Sequence, residues 1–272
     1  LAHPVYGEIL RSSLGRLRLR RLSRTHADAL AATGARRRDD AMRIVRWQLD
    51  AGVTPDREVV EGAARLSRHH RDWPSTALMA RAPVDAGSVP ALALLAEAHW
   101  ELGEFSEVYP VVDGALSDPG ALDDETLVHL HRFRSLCCMW DQDDAAAAVA
   151  ATEVAAESVP DGPLRDLLVF SRASFLAWSG RPAEALALVE PLLESESEIV
   201  AVQAALTVEL VASACGPTGR AIDLSDTWFA VHLGLGGQVG ANSPGNHILG
   251  KAVALANAGR LDEATELAEL GY

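Results

Sequence analysis

The sequence predicts an all-α protein built as a stack of antiparallel helical hairpins, and three observations predict it. The first is the stretch from Leu249 to Ala264. A small-residue-rich apolar run stops at Gly259, and a second opens through Leu261, Ala264 and Leu267 at helical spacing, which describes two helices joined by a tight glycine turn. The second observation is recurrence. A glycine followed five residues later by a small or β-branched residue occurs at Gly259/Ala264, Gly103/Val108, Gly180/Ala185 and Gly216/Ala221, with weaker copies at Asp72/Ala77 and Gln142/Ala147. Such self-similarity signals stacked supersecondary units. The third is composition: 49% of the residues are hydrophobic but only 5% are aromatic, so the helices pack through Ala, Leu and Val.

Taken in order, residues 1–52 differ from the rest. The chain opens at Leu1-Ala-His-Pro-Val-Tyr-Gly-Glu-Ile-Leu10 and runs into an Arg-rich helix over about Arg16 to Thr33. A second helix follows to Gly52, with Asp39 as its cap, Met42, Ile44, Val45 and Leu49 as its apolar side, and Gly52 as its stop. From Thr54 the hairpins succeed one another: Arg57 to Ala82, Pro90 to Leu116, Glu125 to Ser158, Pro163 to Glu194, Ile199 to Leu233 and Asn246 to Tyr272. Pro83, Pro90, Pro119, Pro160 and Pro163 are expected between helices or at their first turns, where the missing N–H costs nothing. Turn positions 103, 142, 180, 216 and 259 lie 39, 38, 36 and 43 residues apart. These spacings exceed the 34 of a regular tetratricopeptide repeat. The fold class is therefore an all-α, tetratricopeptide-like helical-hairpin solenoid with an N-terminal helical segment, residues 1–52 standing apart from a solenoid of about six hairpins at 53–272. Gly234 to Pro244 reads as its one long flexible connection. Neither end carries a cap, so the expectation is a piece of a longer protein, truncated at its C-terminal end.

Bulk properties narrow the function classes. No run of eighteen uncharged apolar residues occurs, so no membrane span is expected. The opening lacks the apolar core and cleavage site of a signal peptide, and a cytoplasmic protein is the expectation. Three cysteines, two of them the neighbours Cys137 and Cys138, make no disulfide framework and read as small buried residues. The net charge of −14 is unevenly spread. Up to Arg81 sixteen arginines face nine acidic residues, a balance of +7 that leaves −21 for the remainder, so the two ends should meet different partners.

His3-Pro-Val-Tyr-Gly-Glu-Ile-Leu10, the Arg-rich helix, the turn Ala32-Thr-Gly-Ala35 and Arg46-Trp-Gln-Leu-Asp-Ala-Gly52 together resemble the end of the winged-helix arm in the large ATP-dependent LuxR-type (MalT-like, STAND-class) transcriptional regulators. The resemblance implies an NTPase module before this chain, a tetratricopeptide-like sensor region within it, and a LuxR-type helix-turn-helix after it. It implies that ATP is a cofactor of the full-length protein and that this fragment holds no cofactor and is not an enzyme. It also implies that an inducer or partner protein is sensed here and that DNA is met only through the absent helix-turn-helix. Self-association is compatible with it. Arg16, Arg18, Arg20, Arg21 and Arg24 would then dock the arm on the NTPase module of the same polypeptide. Their helix lacks the interleaved aromatics of a nucleic-acid surface, so direct DNA contact is disfavoured.

Several other motifs are accounted for by simpler structural roles. Gly245-Asn-His-Ile-Leu-Gly250-Lys251-Ala252 nearly matches a phosphate-binding loop, but Ala252 lacks the hydroxyl that binds magnesium and no strand precedes Gly245. Small helix-packing residues explain it better. His69-His70, His129, His131, Cys137 and Cys138 lack the spacing of a metal site. No nucleophile elbow or acid/base pair stands out. The strongest candidate comes from helical spacing counted back from each turn. It nominates Trp100, Glu101, His129, Arg132, Trp140, Phe170, Ser174, Trp178 and Gln203 as lining the first helices of successive hairpins. Aromatic planes with an Arg, a His and an amide suit a small effector or an extended peptide. The competing role for the three tryptophans is space-filling between repeats.

Overall fold

A computed structural model describes residues 13–239 and 242–271. The octapeptide His3–Leu10 therefore lies outside the described residues. The described chain consists of fourteen α-helices and three 3-10 segments, without a strand among the described residues. The helices form hairpins: α1 (Arg16–Ala32) with α2 (Asp40–Asp50), α3 (Arg57–His69) with α4 (Trp73–Asp85), and α5 (Val89–Glu101) followed by α6 (Phe105–Leu116). Then come α7 (Asp124–Trp140) with α8 (Ala145–Glu157), α9 (Pro163–Trp178) with α10 (Pro182–Val189), α11 (Glu198–Cys215) with α12 (Thr218–Leu235), and α13 (Gly245–Asn257) with α14 (Leu261–Gly271). This is the all-α helical-hairpin architecture that the sequence predicts.

Local chemistry explains the boundaries. Asp56, Asp72, Asp123 and Asp144 each precede a helix and accept a backbone N–H from its first turn, at 3.0, 3.2, 2.7 and 2.9 Å. Asp39 precedes α2 but makes no side-chain cap bond; Asp40 instead is buried and accepts the N–H of Arg37 at 2.9 Å. The turns close through left-handed residues: Gly103, Gly180 and Gly259 have φ of 71°, 77° and 79°. Arg71 (57°) and Asp143 (52°) do the same work without being glycine, one residue from the positions expected of the weaker copies. Gly216 differs again. Its backbone is extended, and a Cβ there would meet the Ala212 Cα at 3.3 Å, a tight contact with backbone that glycine avoids.

Two expectations need revision. Pro83 lies inside α4, two residues from its end, where the helix continues to Asp85. The segment after α12 is partly ordered, as Gly236–Val239 forms a 3-10 turn that buries Val239. In addition, α10 stops early and continues as the 3-10 segment Glu190–Glu194, because Pro191 withholds an N–H from the helical ladder.

The helices group into two compact units, Leu1–Val111 and Val112–Tyr272. The first is filled by Val45, Val60, Ala63, Ala64, Met79, Ala80, Leu95 and Ala96. The second packs Val128, Leu168, Ala173, Val189, Val200, Ala204 and Val208 into one cluster, and Cys138, Ala148, Phe175, Leu176 and Ala185 into another. Within this unit the first helices of successive hairpins touch directly: α7 packs on α9, α9 on α11 and α11 on α13. Alanines at these contacts allow the close approach. Only α11 among the described helices is long and apolar enough to cross a membrane, and twelve of its residues are buried inside the fold.

Candidate functional site

In the second unit the row α7, α9, α11 gathers most of the nominated residues. Arg132, half-buried on α7, donates from Nε to Ser171 Oγ on α9 at 3.0 Å and from a terminal nitrogen to Gln203 Oε1 on α11 at 3.2 Å. Its guanidinium lies over the Phe170 ring, 5.9 Å from the centroid. Ser171 in turn donates to the Leu167 carbonyl at 2.9 Å, so its oxygen is aimed at Arg132 by its own helix. One turn along, Ser174 and Thr207 hydroxyls meet at 2.9 Å, joining α9 to α11 a second time. Phe170 and Gln203 are buried. They support the row from beneath, whereas His129 and Ser174 are half-buried at its surface. His129 lies one turn before Arg132 on α7.

The same helices end in tryptophan. Trp140 closes α7 and Trp178 closes α9, and their rings meet edge to face with centroids 5.1 Å apart. They remain 48% and 56% exposed. The contact joins two successive hairpins and leaves about half of each indole exposed. The pair offers two aromatic planes beside a polar row.

Trp100 and Glu101 belong to the first unit and end α5 half-buried. Burial, then the neighbouring Glu97, pushes the Glu101 carboxyl above the usual carboxylate range, against the opposing pull of Arg71 and Arg68. Arg68 grips Glu97 with two hydrogen bonds of 2.5 and 2.9 Å. His99 is fixed by a relay: Arg81 donates to its Nε2 at 3.1 Å, which leaves Nδ1 to donate to Glu104 at 2.7 Å.

A further constellation was missed by sequence reasoning. Glu209 on α11, Ser225 and His232 on α12, and His247 on α13 are at most 2% exposed. Ser225 donates to Glu209 Oε2 at 2.9 Å; His247 Nδ1 meets Glu209 Oε1 at 2.8 Å, and His247 Nε2 faces His232 Nδ1 at 3.1 Å. Gly250 lies against this cluster, where a Cβ would make ordinary contact with Glu209 Oε2 at 3.4 Å. The near match to a phosphate-binding loop falls within a helix: Gly245 and Gly250 are both residues of α13.

Burial pushes the Cys137 thiol up to about 12, far from a nucleophile, and lowers the basicity of His131. Cys137 and Cys138 are buried, as read from the sequence, and Cys215 is exposed. Among the described residues no three His, Cys, Asp or Glu side chains converge to hold a metal ion. The arginines Arg16, Arg18, Arg20, Arg21 and Arg24 of α1 are all exposed. No protein-family model matches the chain, and no curated protein matches it either.

Proposed function

We propose that this chain is a recognition region, in which the α7–α9–α11 row binds a small-molecule inducer or an extended segment of a partner protein. The observation that carries the reading is Arg132. One side chain on α7 holds Ser171 on α9 and Gln203 on α11, so a ligand engaging it acts on three successive hairpins at once. A ligand that prefers one packing of those hairpins shifts the population toward it, which is the physical requirement of a sensor. The exposed Trp140–Trp178 pair adds the apolar contact that a polar row lacks.

The role follows from the resemblance of the N-terminal segment to LuxR-type STAND regulators: ligand binding here would govern an NTPase and a helix-turn-helix elsewhere in the polypeptide. A free-standing protein-interaction scaffold is the alternative, and a helical-hairpin fold suits it equally. The gene product that contains the chain separates the two. A phosphate-binding loop before Leu1 and a DNA-reading motif after Tyr272 support the regulator; the lack of both leaves the scaffold.

Recognition itself is tested with peptides selected on the chain from a displayed random library, their binding followed by tryptophan fluorescence. Replacing Trp140 and Trp178 by Ala is expected to weaken a selected peptide by about tenfold or more, with helicity unchanged. Affinities indifferent to that double replacement and to Arg132→Lys would remove this row from the proposal.

A further inference from the structure

α1 is an electrostatically unfavourable helix. Its first turn contains no acidic residue while Arg16 and Arg18 stand there, at the end where the helix dipole is already positive. Arg16, Arg20 and Arg24 follow at i, i+4 and i+8, a spacing at which like charges confront one another. Among the described residues none of the five α1 arginines closes an ion pair. Helical geometry gathers Leu17, Arg20, Arg21 and Arg24 on one face, at i, i+3, i+4 and i+7. Leu17 on this face is 81% exposed, and the Arg20 guanidinium lies against Gly52. Arg36, Arg37 and Arg38 in the following turn are exposed as well. Residues 1–52 carry eleven arginines against five acidic residues, a balance of +6 that leaves −20 for residues 53–272.

Such a face fits carboxylates better than a nucleic-acid backbone. α1 has no Phe, Tyr or Trp on which a base could stack. A compact acidic helix presents carboxylates in a row of matching length, and the chain contains one. On α14, Asp262, Glu266 and Glu269 recur at i, i+4 and i+7, all exposed. Glu263 is already held by Arg260 at 2.6 Å, so the three others are the carboxylates on offer. They span about 10 Å of helix, and Arg16 to Arg24 spans about 12 Å, at 1.5 Å rise per residue.

We propose that the arginine face of α1 docks the acidic face of α14 in a second copy of this chain, a head-to-tail contact between unlike surfaces. The contact is heterologous, so it propagates from copy to copy unless the rotation closes a ring. Its attraction is of exposed charges, weak singly and screened by salt. The inference does not depend on the sensor reading, because it uses neither α7 nor α9.

The test is sedimentation of the whole chain over a concentration series. At low ionic strength the wild type is expected to associate with rising concentration, and about 0.5 M salt is expected to abolish the association. Two charge-reversed variants follow: Arg21→Glu with Arg24→Glu, and Glu266→Arg with Glu269→Arg, each checked for unchanged helicity. Each variant alone should stay monomeric, and an equimolar mixture should associate again, since α1 of one then opposes α14 of the other with complementary charge. A wild type monomeric at every concentration, variants that associate as the wild type does, or a mixture that remains monomeric would each overturn the proposal. So would a monomer that binds duplex DNA or phosphatidylserine vesicles through these arginines.

Discussion

Glu209 shows how much a single buried carboxylate can organise. Its two oxygens receive Ser225 from α12 and His247 from α13, and His247 extends the chain of contacts to His232. Removing one partner leaves the others polar, buried and poorly satisfied. His247→Ala is expected to cost about 3 to 5 kcal/mol in denaturant unfolding, whereas joint replacement of Glu209 and His247 by apolar residues of similar volume should cost far less. The four residues are separated by up to 38 positions, and nothing in their local sequence marks them. Only tertiary packing brings them together. Glu101 illustrates the opposite situation, a carboxyl made uncomfortable by burial and by Glu97. With its folded-state affinity for a proton raised, the contribution of Glu101 to stability is fully present below the ordinary glutamate range and is lost as pH rises through the raised value. Glu101→Gln should therefore raise stability at neutral pH and flatten that part of the pH profile, as measured by urea midpoints across the pH series.

At the scale of elements, the hairpins were legible because their punctuation is local. Glycine turns, aspartate caps and initial prolines are read from a few neighbouring residues, and the predicted spans fall within about three residues of the helices. The discrepancies have physical causes. Left-handed backbone at Arg71 and Asp143 is written without glycine, so those turns looked weak in the sequence. Pro83 removes one ladder donor only two residues before the end of α4, and the helix runs past it. Asp143→Gly should stabilise the protein by up to about 1 kcal/mol by relieving the left-handed strain, less what glycine loses in the unfolded chain. Gly180→Ala should cost about 1 to 2 kcal/mol, because φ there is 77°. Paired thermal melts of the two variants check the signs.

On the scale of the whole molecule, stacked hairpins contact chiefly their neighbours, so damage should stay local. Leu168 is fully buried in the cluster shared by α7, α9 and α11. Leu168→Ala is expected to cost about 2 to 5 kcal/mol, and to speed amide exchange in α7 to α11 while leaving α3 and α4 protected. The candidate site was legible to the same degree as the stacking. Counting back from the turns found Arg132, Phe170, Ser174 and Gln203 because α7, α9 and α11 are equivalent members of successive pairs. It could not tell buried Phe170 and Gln203 from surface residues, since that depends on neighbouring helices. Nor could spacing tell that Trp100 and Glu101 fall in the other compact unit.

The arginines of α1 also bear on how the protein behaves in the hands of anyone who purifies it. A chain of net charge −14 ought to flow through a sulfonate column at neutral pH. Adsorption to a resin, however, depends on the most favourable patch it can present, not on the average over the molecule. The wild type should therefore be retarded on a cation exchanger at low salt, and Arg21→Glu with Arg24→Glu should elute ahead of it.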